Sequence, residues 1–129
     1  MIKETIFSPC REYRYTLYRE WEEGQGVCMF IGLNPSTADE IKNDPTVIRC
    51  INYAKRWGYQ AMYMANIFAY RATDPNVMKE HPEPVGNNDI YLKGMAKDSS
   101  IIALLHGGIM VHSRQETMRL KDFYLTCIV

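Results

Sequence analysis

The string Gly32-Leu33-Asn34-Pro35-Ser36-Thr37 carries the densest set of groups in this chain that can do chemistry. An asparagine amide donates and accepts at once, so Asn34 can orient a water or read the edge of a ligand. Pro35 fixes the turn, and Gly32 lets another backbone approach closely. Ser36 and Thr37 add hydroxyls, and Asp39 a carboxylate. The same letters also make an ordinary turn and cap. The string is not a phosphate-binding P-loop, which needs a different glycine pattern and a Gly-Lys-Ser/Thr ending, and no cofactor is called for.

Two further groups follow apolar runs. The first holds Asn66, Tyr70, Arg71, Thr73 and Asp74, and the second His106, Gly107 and Gly108. Arg71, in a polar loop, suits a phosphate or carboxylate, with a surface ion pair as its ordinary role. His106 suits acid or base work near neutrality; its ordinary role is a hydrogen-bonded side chain closing a strand. Asp39 with Asp44, or Asp74 with Asp89, suits Mg²⁺ beside a phosphate. Asp44 and Asp74 each precede a proline and read as helix caps, however, so no metal is assigned. Cys10, Cys28, Cys50 and Cys127 are scattered without a CxxC pair, against a zinc site. Arg49 and Arg56 read as a solvated helix face, and Tyr13, Tyr15, Tyr18 and Trp21 as core or edge packing rather than a stacking platform.

The elements that must position these groups follow from periodicity. Arg11 to Trp21 alternates, with Tyr13, Tyr15, Leu17 and Arg19 on one side and Arg14, Thr16, Tyr18 and Glu20 on the other, which predicts an edge strand. Val27 to Leu33, Ala61 to Ala65 and Ile101 to Leu105 are apolar runs suited to strands buried on both faces. Asp44-Pro45 starts a helix to about Trp57, ended by Gly58, with Val47, Ile48, Cys50, Ile51, Ala54 and Trp57 on its apolar stripe. Asp74-Pro75 starts a short helix through Lys79. Asn87 or Asn88 caps another to about Asp98, whose apolar face is Ile90, Tyr91, Met95 and Leu92. A last helix is expected from Ser113 to about Tyr124. This order predicts a mainly parallel sheet with helices on both faces. In such sheets ligands bind beyond the carboxyl ends of the strands, where the three polar groups would converge.

Beyond these physical signals, Phe30 to Asp39, Asn43-Asp44-Pro45-Thr46, Arg49-Cys50, Trp57-Gly58, Asn66 to Pro75 and Asn88-Asp89 resemble the bacterial and phage family called domain of unknown function 1643. The resemblance spans roughly Arg14 to Gly108. More distantly, the strand and Gly32-Leu33-Asn34-Pro35 are similar to the first motif of the mismatch-specific branch of the uracil-DNA glycosylase superfamily. That likeness implies a three-layer α/β sandwich with a mainly parallel central sheet. It implies that Asn34 orients the water attacking the sugar carbon, that the backbone at Pro35 and Ser36 contacts the base, and that Tyr70 or Phe68 stacks on it. The second superfamily motif, a His-Pro or Asn-Pro segment near the C-terminus, is not found; His81-Pro82 precedes the third core strand. Relatives of this kind run on to a His-Pro-Leu-Tyr ending, so the chain is expected to be a shortened or frameshifted member.

A length of 129 residues predicts one domain. Fifteen basic and fifteen acidic residues give zero formal charge, which argues against extended binding to polyphosphate. No signal peptide or membrane segment is read, so a cytoplasmic location is expected. Three functions are carried forward. The first is recognition of a nucleobase, nucleotide or single-stranded nucleic acid with N-glycosidic hydrolysis. It places Asn34 and His106 in catalysis and Pro35, Ser36, Thr37, Asp39, Asn66, Tyr70, Arg71 and Asp74 in binding. The second is a non-catalytic module that binds a protein partner, such as a phage factor acting on a host enzyme. The third is a Mg²⁺-dependent phosphohydrolase using Asp39 and Asp74.

Overall fold

A computed structural model describes residues 1–105 and the strand at 109–111. Its elements are β1 (Ile2–Phe7), β2 (Arg14–Glu20), β3 (Val27–Gly32), α1 (Pro45–Arg56), β4 (Ala61–Asn66), α2 (Pro75–Glu80), α3 (Asn88–Asp98), β5 (Ile101–Leu105) and β6 (Ile109–Val111). The strands form a mixed α/β sheet in the order β1-β2-β4-β3-β5-β6. The helix expected from Ser113, with His106, Gly107, Gly108 and Cys127, lies outside the described residues. Among the described residues, no helix is long and apolar enough to cross a membrane.

The expectation of a mainly parallel sheet is corrected. Among the described strands, only β4-β3-β5 pair in parallel. The β1-β2, β2-β4 and β5-β6 pairings are antiparallel. Parallel neighbours require a long crossover, and the described chain has such crossovers only where α1 joins β3 to β4 and where α2 and α3 join β4 to β5. Strand β1 is an addition to the expected set, because IKETIF is short, charged and mostly exposed. With β1 in place, β2 lies inside the sheet rather than at its edge.

Each face of the sheet packs on a helix. Val47, Cys50, Ile51 and Ala54 of α1 bury against Leu17, Phe30, Met62 and Ala103. Leu92, Met95 and Ala96 of α3 bury against Met29, Ile31, Ala65 and Ile102. Asp44 caps α1 as expected, its Oδ1 accepting from the Val47 amide at 2.9 Å, with Pro45 in the first turn. Asp74 caps α2 in the same way, accepting from the Asn76 amide.

The start of α3 differs from the cap expected there. Asn87 occupies the cap position without a side-chain cap bond. Asn88 is fully buried, and its Nδ2 donates to the backbone oxygens of Asn66 at 2.6 Å and Ile67 at 3.2 Å. That anchor sets the rotation of the helix: Asn88, Leu92, Met95 and Ala96 face inward, while Ile90, expected in the apolar face, is 76% exposed.

The alternation expected along β2 breaks at one residue. Ile6 pairs with Thr16 but Phe7 pairs with Arg14, so Tyr15 is an extra residue in a bulge. On the C-terminal side of it, Leu17 packs on the α1 face and Tyr18 against Tyr63. On the N-terminal side the parity inverts. Tyr15 stacks on Tyr91 of α3, with ring centroids 4.7 Å apart, and Arg14 turns to the α1 face.

Phe30, fully buried and 5.9 Å from the Trp57 ring, joins the central strand to α1. Phe30→Ala is expected to cost about 3–5 kcal/mol, a large share of a typical domain's stability. Urea unfolding with an unchanged slope is the check.

Candidate functional site

The carboxyl ends of β3 and β4 do not splay into separate loops. The Ile67 amide donates to Gly32 O, that of Phe68 to Leu33 O and that of Ala72 to Pro35 O, each at 2.9 Å. Asn34 joins the same seam, its Nδ2 donating to Ala72 O at 2.8 Å and to Pro35 O at 3.3 Å. With both amide hydrogens engaged on carbonyls, what Asn34 offers a ligand is its oxygen, an acceptor.

Beside Asn34 lies a cavity of about 40 Å³ lined by Arg14, Asn34, Pro35, Ser36, Asp44, Thr46, Val47, Met64 and Asn66. That volume holds a water or two, whereas a pocket for a drug-sized ligand spans roughly 300–1,000 Å³. A base would sit at the mouth and not inside. The expected set is therefore brought together in part: Asn34, Pro35, Ser36 and Asn66 share the cavity.

Arg14, which sequence reasoning did not place here, is the cation of the site. It is 3% exposed, and it donates from Nη1 to Ala38 O and from Nη2 to Asn66 Oδ1, both at 3.2 Å. Burial lowers its pKa to about 10, with Asp44 partly offsetting the shift and Arg71 and Arg19 adding to it. Asp44 is buried as well, its Oδ2 accepting from the Ala38 amide at 3.3 Å while Oδ1 caps α1. Strict alternation puts Arg14 on the opposite face, so only knowledge of the bulge could have found it. Gly32 also works differently from expectation. A Cβ there would meet Met64 Cε at 3.0 Å and Asn66 Nδ2 at 3.2 Å, so it makes room for side chains rather than for a backbone.

The remaining candidates stand outside the cavity. Thr37 and Thr73 are exposed. Asp39 closes its own turn, its Oδ1 accepting from the Ile41 and Lys42 amides, and those bonds hold its carboxyl below the usual range. Arg71 lies over the Phe7 ring at 4.6 Å and donates to Arg11 O. Tyr70 stacks on His81 at 3.9 Å, the histidine of the His81-Pro82 pair. Asp74 is spent on its cap. Among the described residues, no three His, Cys, Asp or Glu side chains come together as a metal site.

Two outcomes follow from the buried pair. Asp44→Ala is expected to cost about 1–2 kcal/mol from the lost cap, and more through Arg14, left buried without its counter-charge. The lowered pKa of Arg14 means that its charge opposes folding in full below about 10 and that the penalty is relieved as pH rises above that value. The stability of the parent relative to Arg14→Met should therefore increase as pH is raised through about 10, measured by urea unfolding of both proteins.

No curated protein and no solved structure matches the chain. A family described as Protein of unknown function (DUF1643) matches residues 14–126, a span that takes in Arg14, the seam and the α1 cap and runs beyond Gly108. Because that match covers most of the sequence, the chain belongs to the DUF1643 family.

Proposed function

We propose that the protein recognises a nucleobase or nucleotide at the carboxyl ends of β3 and β4, with Asn34 orienting a water for N-glycosidic hydrolysis. The observation that carries this reading is the water-sized cavity between Asn34 and Arg14, whose walls combine an acceptor, a buried cation and the Asn66 amide. A water held by Asn34 Oδ1 would sit at the mouth where a base and its sugar can be presented, and Ser36 offers backbone on the same rim, whereas the Pro35 carbonyl is already taken by the Ala72 amide and Asn34 Nδ2. The likeness of the Gly32-Leu33-Asn34-Pro35 string to the first motif of the uracil-DNA glycosylase superfamily, with its three-layer fold, supports the same reading. His106, which follows Leu105 in the sequence, is the candidate acid or base. The small volume favours a ligand gripped by one edge, with zero formal charge suiting a mononucleotide or a short single strand over a duplex.

A second reading, a non-catalytic module that binds a protein partner, draws on Leu33 and Ile67. These are 39% and 48% exposed and are set side by side by the seam.

A thermal-shift screen with bases, nucleosides, nucleotides and short single-stranded DNA separates the two. A stabilising ligand is expected, and Asn34→Ala should abolish both the shift and any base release, at a cost to the fold of only about 1 kcal/mol. An undiminished shift in Asn34→Ala would overturn the proposal. No shift across the panel, with stoichiometric capture of one protein lost in Leu33→Asp, would favour the second reading.

A further inference from the structure

On the opposite face of the sheet, a groove of about 240 Å³ runs between the β1-β2-β4 surface and α3. Its floor is one row across three strands, because Glu4 pairs with Tyr18 and Tyr18 with Tyr63. The Tyr18 and Tyr63 rings lie 5.0 Å apart at 50°. The α3 wall presents Tyr91, Gly94 and Asp98, and among the described residues no lysine or arginine lines the groove.

Glu4 and Asp98 are exposed carboxylates with no hydrogen-bond or ion-pair partner among the described residues. Two further features of the groove go against the stability of the fold. Asp98 is the last residue of α3, where the helix dipole disfavours a carboxylate. Gly94, in the helix interior, weakens the helix relative to alanine although nothing lies within 4 Å of where its Cβ would be. The free carboxylates and these two features fit a groove kept negative and open.

We infer that this groove is a binding site for a small organic ammonium cation, seated against the rings of Tyr18 and Tyr63 between the carboxylates of Glu4 and Asp98. Aromatic faces attract such a cation through the ring quadrupole, and the carboxylates add charge complementarity. Burial raises the Tyr63 hydroxyl above its ordinary pKa, and Asp98 and Glu4 raise it further, which reports the sign of the field in the groove. The volume suits a headgroup and is too small for a nucleotide, so this site is independent of the one at Asn34.

Choline is the probe, and dimethylbutanol, its uncharged carbon isostere, is the control. Saturable choline-dependent shifts are expected at the amide resonances of Tyr63, Gly94 and Met95, with the control at least about tenfold weaker. Asp98→Asn and Gly94→Leu should each weaken choline binding while raising the melting temperature, so a loss of binding cannot be assigned to unfolding. Equal responses to choline and the control, no response to either, or full choline affinity in Asp98→Asn would overturn the inference.

Discussion

Asn66 is the joint on which both faces of this sheet depend. Its side-chain oxygen accepts from the buried guanidinium of Arg14 on the α1 face, and its backbone oxygen accepts from the amide of Asn88 at the start of α3. One residue at the end of a central strand thus holds the cation of the candidate site and sets the rotation of the opposite helix. Both partners are buried, so neither finds a ready substitute in water if the joint is lost.

The chemistry of the site follows from that joint. A lone buried guanidinium is costly, and Arg14 is tolerated because Asp44 supplies the balancing charge while also capping α1. The carboxylate therefore ties the helix start to the cation, and Ala38, bonded through its oxygen to Arg14 and through its amide to Asp44, ties in the intervening loop. Zero formal charge across the chain is echoed inside this cavity, where one cation faces one anion.

Much of this frame is legible in the order of residues alone. Caps at Asp44 and Asp74 are local chemistry, decided within one turn, and both form where proline and aspartate place them. The apolar runs of β3, β4 and β5 need only burial on two faces. What escapes is decided at long range. Strand β1 has almost no buried face of its own and exists by pairing with β2. Asn88 reads as a cap by type but is consumed by a carbonyl 22 residues away. Of the candidate site, Asn34, Pro35, Ser36 and Asn66 can be gathered from strand ends alone, whereas Arg14 depends on a single unpaired residue upstream of Leu17.

That unpaired residue bears on how such a site can be gained or lost. Point substitutions at Tyr15 change what packs on Tyr91 but leave the count of residues intact, so Arg14 keeps its face. Removing one residue from the segment would restore regular pairing with β1 and carry Arg14 to the other side of the sheet. Within this family, a one-codon deletion between Arg14 and Leu17 would therefore take the cation out of the cavity in a single step, with every side chain around the cavity still encoded.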